Sequence, residues 1–346
     1  MFFILMDPYE YKTSRIDRNT GMLYPDLAEA RVCPLCGSPE SRKLFVKEGF
    51  RFVSCEKCGM VYTGFRAKED RHEKEEYSEK LRNKDHEAAL SADSPKKIRL
   101  ERLLRKIEKR FGGRKDLRIL DIGSGSGISF YFASRKGYSD FYAVDINPGA
   151  VEVARERFGA RAFLGDLREH GLESGFFDVV IMDNVLEHLN DPCSTLEEAA
   201  RVLNEKGMLF VSVPNIDSFI IRALGKNHRF FNGFGHLNYF TPKTLAKLSS
   251  ACGLTPYSVE TAVEEMTVSR LFNLMAKRNL IDYDIGSIEY HESKKAPGAS
   301  SVDKKRESAV KTAAKRACAP IDAVLVLITN LMRRGAYIDA VFVKKQ

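Results

Sequence analysis

No apolar run among the 346 residues approaches the roughly 20 needed to cross a bilayer, so no membrane-spanning helix is expected. The opening Met1–Met6 is apolar, but Asp7 stops it and no basic residue precedes it. A secretory signal needs a charged start and a longer apolar stretch, so none is expected. Cysteine is sparse, with seven residues at 33, 36, 55, 58, 193, 252 and 318. Four fall in two CxxC pairs and three stand alone, a pattern that suits a metal site in a reducing, cytoplasmic setting better than a disulfide framework. Net charge is +8, which is compatible with nucleic acid, anionic lipid or a phosphorylated substrate and selects none of them.

What is there divides the chain into four regions. Residues 1–31 are mixed and mostly polar, a lead-in. Residues 32–65 hold the CxxC pairs. Residues 66–116 are highly charged and contain a helical stripe of Ile98, Leu103, Leu104, Ile107 and Phe111, ended by Gly112-Gly113. From Leu117 onward short apolar runs alternate with helical ones: Arg118–Ile122, Phe141–Ile146, Ala162–Leu164, Phe177–Met182 and Met208–Val213 read as strands, with helices over Ala150–Phe158 and Ser194–Leu203 between them. That alternation predicts an α/β fold with a doubly wound parallel sheet. Pro242–Cys252 reads as a helix capped by Thr241, Thr255–Thr261 as a sixth strand and Tyr337–Val343 as a seventh. About 263–335 is then a helical and basic insertion. Within it, 294–316 carries eight Lys/Arg against two acids and reads as a basic loop. Ile321–Leu331 reads as a core or lid helix, with peripheral membrane contact as the alternative.

Cys33-Pro-Leu-Cys36 and Cys55-Glu-Lys-Cys58 are separated by 18 residues, within the spacing of a four-cysteine zinc ribbon. Each CxxC turn delivers two thiolates from one tight loop, and four make a closed tetrahedral shell with no open position for catalysis. The ion expected at Cys33, Cys36, Cys55 and Cys58 is therefore a structural staple; iron in a rubredoxin-like site uses the same spacing.

Ile119-Leu-Asp-Ile-Gly-Ser-Gly-Ser-Gly127 runs from a strand through a glycine turn into a helix, and Asp145 follows 18 residues after Gly127. An acid at the end of the second strand can accept both hydroxyls of an adenosine ribose. A dinucleotide site spaces its glycines GxGxxG to seat a pyrophosphate. This loop is GxGxG, with Asp121 two residues ahead, an acid that repels phosphate and suits an ammonium group. The expected ligand has a positive amino-acid end, as S-adenosylmethionine does.

On these residues the chain resembles the class I S-adenosylmethionine-dependent methyltransferases over about 117–262. Asp121–Gly127 resembles their motif I, Ala143-Val-Asp-Ile146 their ribose-binding acid, Gly165-Asp166-Leu167 their adenine-contacting turn, and Phe177–Leu189 (FDVVIMDNVLEHL) their fourth-strand motif. The resemblance implies a Rossmann-like sheet of seven strands, the last antiparallel. It implies cofactor contacts from Asp121, Gly123, Ser124, Gly125, Gly127, Asp145, Ile146, Asp166, Leu167, Asp183 and Asn184. VLEHLNDP followed by Gly235-His-Leu-Asn-Tyr-Phe-Thr241 is similar to ubiquinone-pathway O-methyltransferases and deoxysugar C-methyltransferases, the latter also beginning with a cysteine-rich zinc module. The C-methyltransferases read HEHxxYF, and Gly235 stands here in place of their acid.

Methyl transfer chiefly needs the acceptor aligned with the methyl group, and a base helps where the acceptor must lose a proton. His236, His188 and Tyr239 are the candidates for that role. The acceptor expected is a small molecule or glycan precursor, methylated on oxygen. An RNA base is the rival, because some rRNA guanine-N1 methyltransferases carry a similar ribbon beginning CPLC. Against it, the chain lacks both an interleaved aromatic stacking pattern and the N/D-P-P-Y/F tetrad of exocyclic-amino methylation.

Overall fold

The structure is a computed structural model and describes residues 14–68, 95–262 and 334–345. The basic loop 294–316, the Ile321–Leu331 helix, Cys318 and nearly all of the 263–335 insertion lie outside the described residues, as do 1–13 and 69–94. No helix among the described residues is long and apolar enough to cross a membrane.

Residues 14–31, expected as a lead-in, carry the short strands β1 (Ile16–Asp17), β2 (Met22–Leu23) and β3 (Ala28–Ala30). The cysteine region follows as β4 (Ser41–Lys47), β5 (Phe50–Cys55), β6 (Val61–Thr63) and β7 (Phe65–Ala67). β3 pairs with β7, so the chain on either side of the cysteines is stitched together.

The main body begins with a helix over Pro95–Arg110. Leu100, Leu103, Leu104 and Ile107 are buried, whereas Ile98 is 45% exposed. The expected stripe was misplaced at that residue: two positions before Leu100, and so about 200° around the helix, Ile98 faces away. Strands β8 (Arg118–Ile122), β9 (Asp140–Asp145), β10 (Arg161–Leu164), β11 (Phe177–Asp183) and β12 (Leu203–Pro214) then alternate with helices over Ile128–Ser134, Pro148–Phe158 and Pro192–Val202. The last of these ends at Val202 and β12 begins at once, so Leu203, expected as the helix's last residue, is the first of the strand. A two-residue strand, β13 (Asn238–Tyr239), precedes the helix Pro242–Ala251, followed by β14 (Leu254–Ala262) and β15 (Tyr337–Lys344).

The seven-stranded sheet runs β10-β9-β8-β11-β12-β15-β14. Its β8–β12 members pair in parallel, and β15 is antiparallel to both of its neighbours. This is the doubly wound sheet with an antiparallel last strand that the sequence predicts. Strand order reverses between β8 and β11, and open α/β sheets bind ligands at such a switch point, beyond the carboxyl ends of the strands.

A second sheet has the order β13-β6-β5-β4. β13 comes from the far side of the main body in sequence, yet Asn238 and Tyr239 pair with Tyr62 and Val61. The cysteine region is therefore bonded into the body by backbone hydrogen bonds.

Candidate functional site

The glycine turn leaves β8 at the switch point. The Gly123 N–H donates to the Val144 carbonyl at 2.8 Å, pinning the turn against the end of β9. Gly127 caps the following helix with φ +71°, and a Cβ there would lie 2.4 Å from the Phe158 ring. Only glycine meets both conditions, so helix and strand approach closely at this corner. Asp121 is 3% exposed and accepts a hydrogen bond from the Ser129 hydroxyl. Burial, opposed by that bond and reinforced by the charge of Asp183, pushes its carboxyl up to about 7.

Asp145 ends β9. Its Oδ2 accepts the Gly125 N–H at 2.9 Å and its Oδ1 the Asn147 N–H at 2.8 Å. Each carboxylate oxygen keeps a further lone pair, so two hydroxyl donors can still be received. Ile146, next along, is 59% exposed, an apolar side chain placed where a flat ring can lie. Backbone turn, buried Asp121, strand-end Asp145 and the exposed apolar Ile146 thus fit a nucleoside with an amino-acid tail.

Two sequence candidates are engaged elsewhere. Asp166 caps the 3-10 helix Leu167–His170 and pairs with Arg168 at 2.8 Å, while Leu167 is buried at 2% exposure. Asp183 binds Arg99 at 3.0 Å and Lys96 at 3.4 Å; despite its burial, these cations hold its carboxyl below the usual range. Asn184 adopts φ +58° and donates from its amide to Asp183 Oδ1 at 3.0 Å. Ser124 is buried at 5% exposure, within the turn.

Past β11 the chain meets the loop that precedes β13. The Leu237 and Asn238 N–H groups both donate to the Glu187 carbonyl, at 2.7 and 3.0 Å. His188 and His236 are brought together, with ring centroids 4.9 Å apart and nearly perpendicular. His236 is partly buried, and desolvation, followed by the neighbouring His188, lowers it to about 3, so it is neutral at physiological pH. The His188 side chain keeps 45% exposure. Tyr239 is only 2% exposed and donates its hydroxyl to the His236 carbonyl at 2.7 Å. Burial also raises its proton affinity well above normal, so Tyr239 serves as packing and is withdrawn as a base.

The four cysteines gather as their spacing predicts. Their sulfurs all lie within 4.8 Å of one another, and the closest pairs, Cys33–Cys58 and Cys36–Cys55, are 3.4 and 3.5 Å apart. These separations are far beyond a disulfide bond and near the edge of a tetrahedron with Zn–S of about 2.3 Å. The two knuckles repeat one geometry. Gly37 N–H donates to the Cys33 carbonyl and Gly59 N–H to that of Cys55, at 2.9 and 3.0 Å. The donor set fits zinc.

Two residues that sequence reasoning passed over complete the site. Arg31, within the supposed lead-in, donates to the Thr63 and Leu237 carbonyls and to Asn238 and Asn190. It thereby ties the cysteine region to both loops that carry the histidines. Glu187 is 1% exposed, and neither carboxylate oxygen has a hydrogen-bond partner among the described residues. A sequence signal for Glu187 existed, an acid directly before His188; Arg31 left none, because its partners are 32 to 207 positions away.

Residues 96–259 match the family model described as a methyltransferase domain. A malonyl-[acyl-carrier protein] O-methyltransferase of Serratia marcescens is 26% identical over 179 residues, covering 51% of this chain and 66% of that one. A ubiquinone biosynthesis O-methyltransferase of Azorhizobium caulinodans is 33% identical over 121 residues, 33% of this chain and 47% of the relative. The chain thus spans about half to two thirds of the length of such curated relatives. Among solved structures, an S-adenosylmethionine-dependent methyltransferase from Archaeoglobus fulgidus aligns with a TM-score of 0.43 and 18% identity, over 71% of this chain and 94% of that one.

Proposed function

Because residues 96–259 match a model described as a methyltransferase domain, we propose that the chain is a class I S-adenosylmethionine-dependent enzyme that methylates a hydroxyl oxygen of a sugar, glycan precursor or other small molecule. The observation that carries the reading is the juxtaposition at one sheet edge. The glycine turn with Asp121 and Asp145 lies at the switch point, and the histidine pair closes the end of the neighbouring strand β11.

The cofactor, when bound, supplies an electrophilic methyl group on a sulfonium. Asp121 and the backbone of Gly123, Ser124 and Gly125 would hold its amino-acid end. Asp145 would take the ribose, and Ile146 would lie against the adenine. With Asp166 paired to Arg168 and Asp183 to Arg99, their share is to shape the cleft through the strand ends they occupy. His188 and His236 orient the acceptor. The acceptor oxygen forms its bond to carbon as the sulfur–carbon bond breaks, and the hydroxyl proton leaves to His188 or to solvent. A histidine lowered to about 3 is a poor proton acceptor, so His236 positions.

Zinc at Cys33, Cys36, Cys55 and Cys58 would staple the ribbon over 32–65 and act in no step. The body over 117–346, with its 263–335 insertion, would carry the chemistry.

The first measurement is calorimetric titration with S-adenosylhomocysteine and, separately, NADH. Micromolar binding of the first alone is expected, and Asp145→Ala should weaken it by about 1–3 kcal/mol through lost hydrogen bonds. Binding of NADH alone would overturn the cofactor reading. Labelled methyl transfer to nucleotide sugars and other small hydroxyl compounds is then expected in preference to structured RNA; label in RNA alone would sink the acceptor class.

A further inference from the structure

Glu187 buries a carboxyl group whose two oxygens meet no hydrogen-bond partner among the described residues, and burial pushes it up to about 8, so only a nearby cation would keep it ionised at neutral pH. An orphaned carboxylate at 1% exposure is costly, and such groups are normally paired or bound to metal. His188 Nε2 is the nearest cationic candidate, at 3.8 Å, too far for a hydrogen bond. One ring nitrogen from each of His188 and His236 and one oxygen of Glu187 all lie within 4.8 Å of one another.

The outer bonds of the two rings fix their tautomers. His188 Nδ1 is 2.8 Å from the Gly235 carbonyl, and His236 Nδ1 is 3.1 Å from the Phe230 carbonyl. A carbonyl only accepts, so each Nδ1 carries the proton and donates. In the neutral rings each Nε2 then holds a lone pair. Backbone carbonyls that anchor the far nitrogen are the usual support of metal-binding histidines. His188 Nε2 and a ring nitrogen of His236 thus gather beside a buried carboxyl group that has no other side-chain partner among the described residues, and a cation would satisfy that set with the carboxyl ionised.

We propose that Glu187, His188 and His236 form a site for one divalent transition-metal ion, separate from the four-cysteine zinc site. Two imidazoles and one carboxylate suit ions such as Mn²⁺, Fe²⁺ or Zn²⁺. Bonds of about 2.0–2.2 Å set ligand atoms about 3.0–3.4 Å apart, so separations of up to 4.8 Å must close by up to about 1.5 Å on binding. Three protein ligands leave positions open, the arrangement of a catalytic ion and not of a structural one. The half-exposed edge of His188 gives access to them. Resting on the methyl-transfer reading, the ion, with His188 and His236 as ligands, would bind the acceptor's hydroxyl oxygen and ease loss of its proton to solvent.

The test uses the full chain with its ribbon zinc in place and Mn²⁺ as the probe, followed by electron paramagnetic resonance. Thiolates favour zinc, so Mn²⁺ leaves the ribbon alone, and zinc content is measured before and after. One Mn²⁺ per chain is expected, weakened roughly tenfold or more by Glu187→Gln and by His236→Gln, with S-adenosylhomocysteine binding unchanged. The second variant keeps the test decisive should the first fail to fold. No bound Mn²⁺, or equal binding by wild type and both variants, overturns the site. Failure of the wild type to bind S-adenosylhomocysteine would instead overturn the methyl-transfer reading on which the ion's role rests.

Discussion

Asp121, proposed above to hold the cofactor's ammonium, also carries a stability cost. Its carboxyl is raised from an ordinary 3.8 to about 7, burial being the largest cause. A folded value above the unfolded one means a contribution to stability that is full below about pH 4 and lost as pH rises through 7. In the cofactor-free protein this group therefore lowers Tm progressively between pH 4 and 7. A ligand ammonium reverses the sign, because it binds the ionised carboxylate and must displace the proton below pH 7. Affinity for S-adenosylhomocysteine should fall by up to about tenfold per pH unit below 7 and level off above it. Asp121→Asn should bind weakly and without that slope. Calorimetric titration at pH 5.5, 6.5 and 7.5 checks this; a flat wild-type profile would mean the acid does not face the ammonium. Asp121 was readable in the sequence because its partners are local, the turn it precedes and Ser129 eight positions on. Tyr239 was misread for the opposite reason: nothing local shows that its hydroxyl is spent on the His236 carbonyl and its ring packed against Phe52 and Phe231.

Among the elements, β13 couples two parts of the chain that sequence reading kept separate. It extends the ribbon sheet through β6, and the loop before it carries His236. With zinc bound, four thiolates would hold the knuckles at Cys33–Gly37 and Cys55–Gly59, and β6 starts two residues after the second. Zinc removal should therefore loosen β6, then β13 and the histidine loop, while the glycine turn at the far strands keeps its shape. Chelation is expected to speed hydrogen exchange over 228–240 and abolish methyl transfer, with S-adenosylhomocysteine affinity changed less than twofold or so. Equal loss of cofactor binding would show that the ribbon supports the whole body.

The same seam is packed to contact. A Cβ on Gly233 would lie 2.1 Å from Phe50 Cγ, and the Phe50 ring is held between Phe65 and Phe234 at 5.5 and 4.8 Å. Gly233→Ala should cost about 1–3 kcal/mol by overpacking, seen as a lowered Tm, and Phe50→Leu in the same chain should restore part of it. The strands and helices of the body were legible because apolar periodicity is a local property. The seam was not. β13 is two residues long, and its pairing with β6 spans more than 170 positions, a separation no window of sequence reports.

The whole molecule is drawn together by one buried cation. Arg99, on the helix before the sheet, is 3% exposed and bonds Asp183 at 3.0 Å, with Asp339 at 3.9 Å; its guanidinium also stacks over Tyr337. Helix, switch-point strand and C-terminal strand thus meet at a single charge. The sequence stripe counted only the apolar residues of that helix and assigned Arg99 nothing, because only the fold places two acids beneath it. Arg102 stands 3.7 Å from Asp339 and Lys96 3.4 Å from Asp183, but both are about a third exposed and so screened by solvent. Removing Arg99 leaves two buried carboxylates with only these outer cations, beside neutral hydrogen bonds from Asn184 to Asp183 and from Ser212 to Asp339. Arg99→Ala should therefore destabilise the fold by about 3–5 kcal/mol, the loss typical of breaking a buried pair from one side. Arg99→Met combined with Asp183→Asn and Asp339→Asn removes charge from both sides and should recover most of that loss, since a neutral set needs no counter-ion. Urea unfolding of the three proteins, the wild type included, decides it. A single variant within about 0.5 kcal/mol of wild type would mean that Lys96 and Arg102 suffice. A triple variant no better than Arg99→Ala would place the loss in packing against Tyr337 instead of in charge.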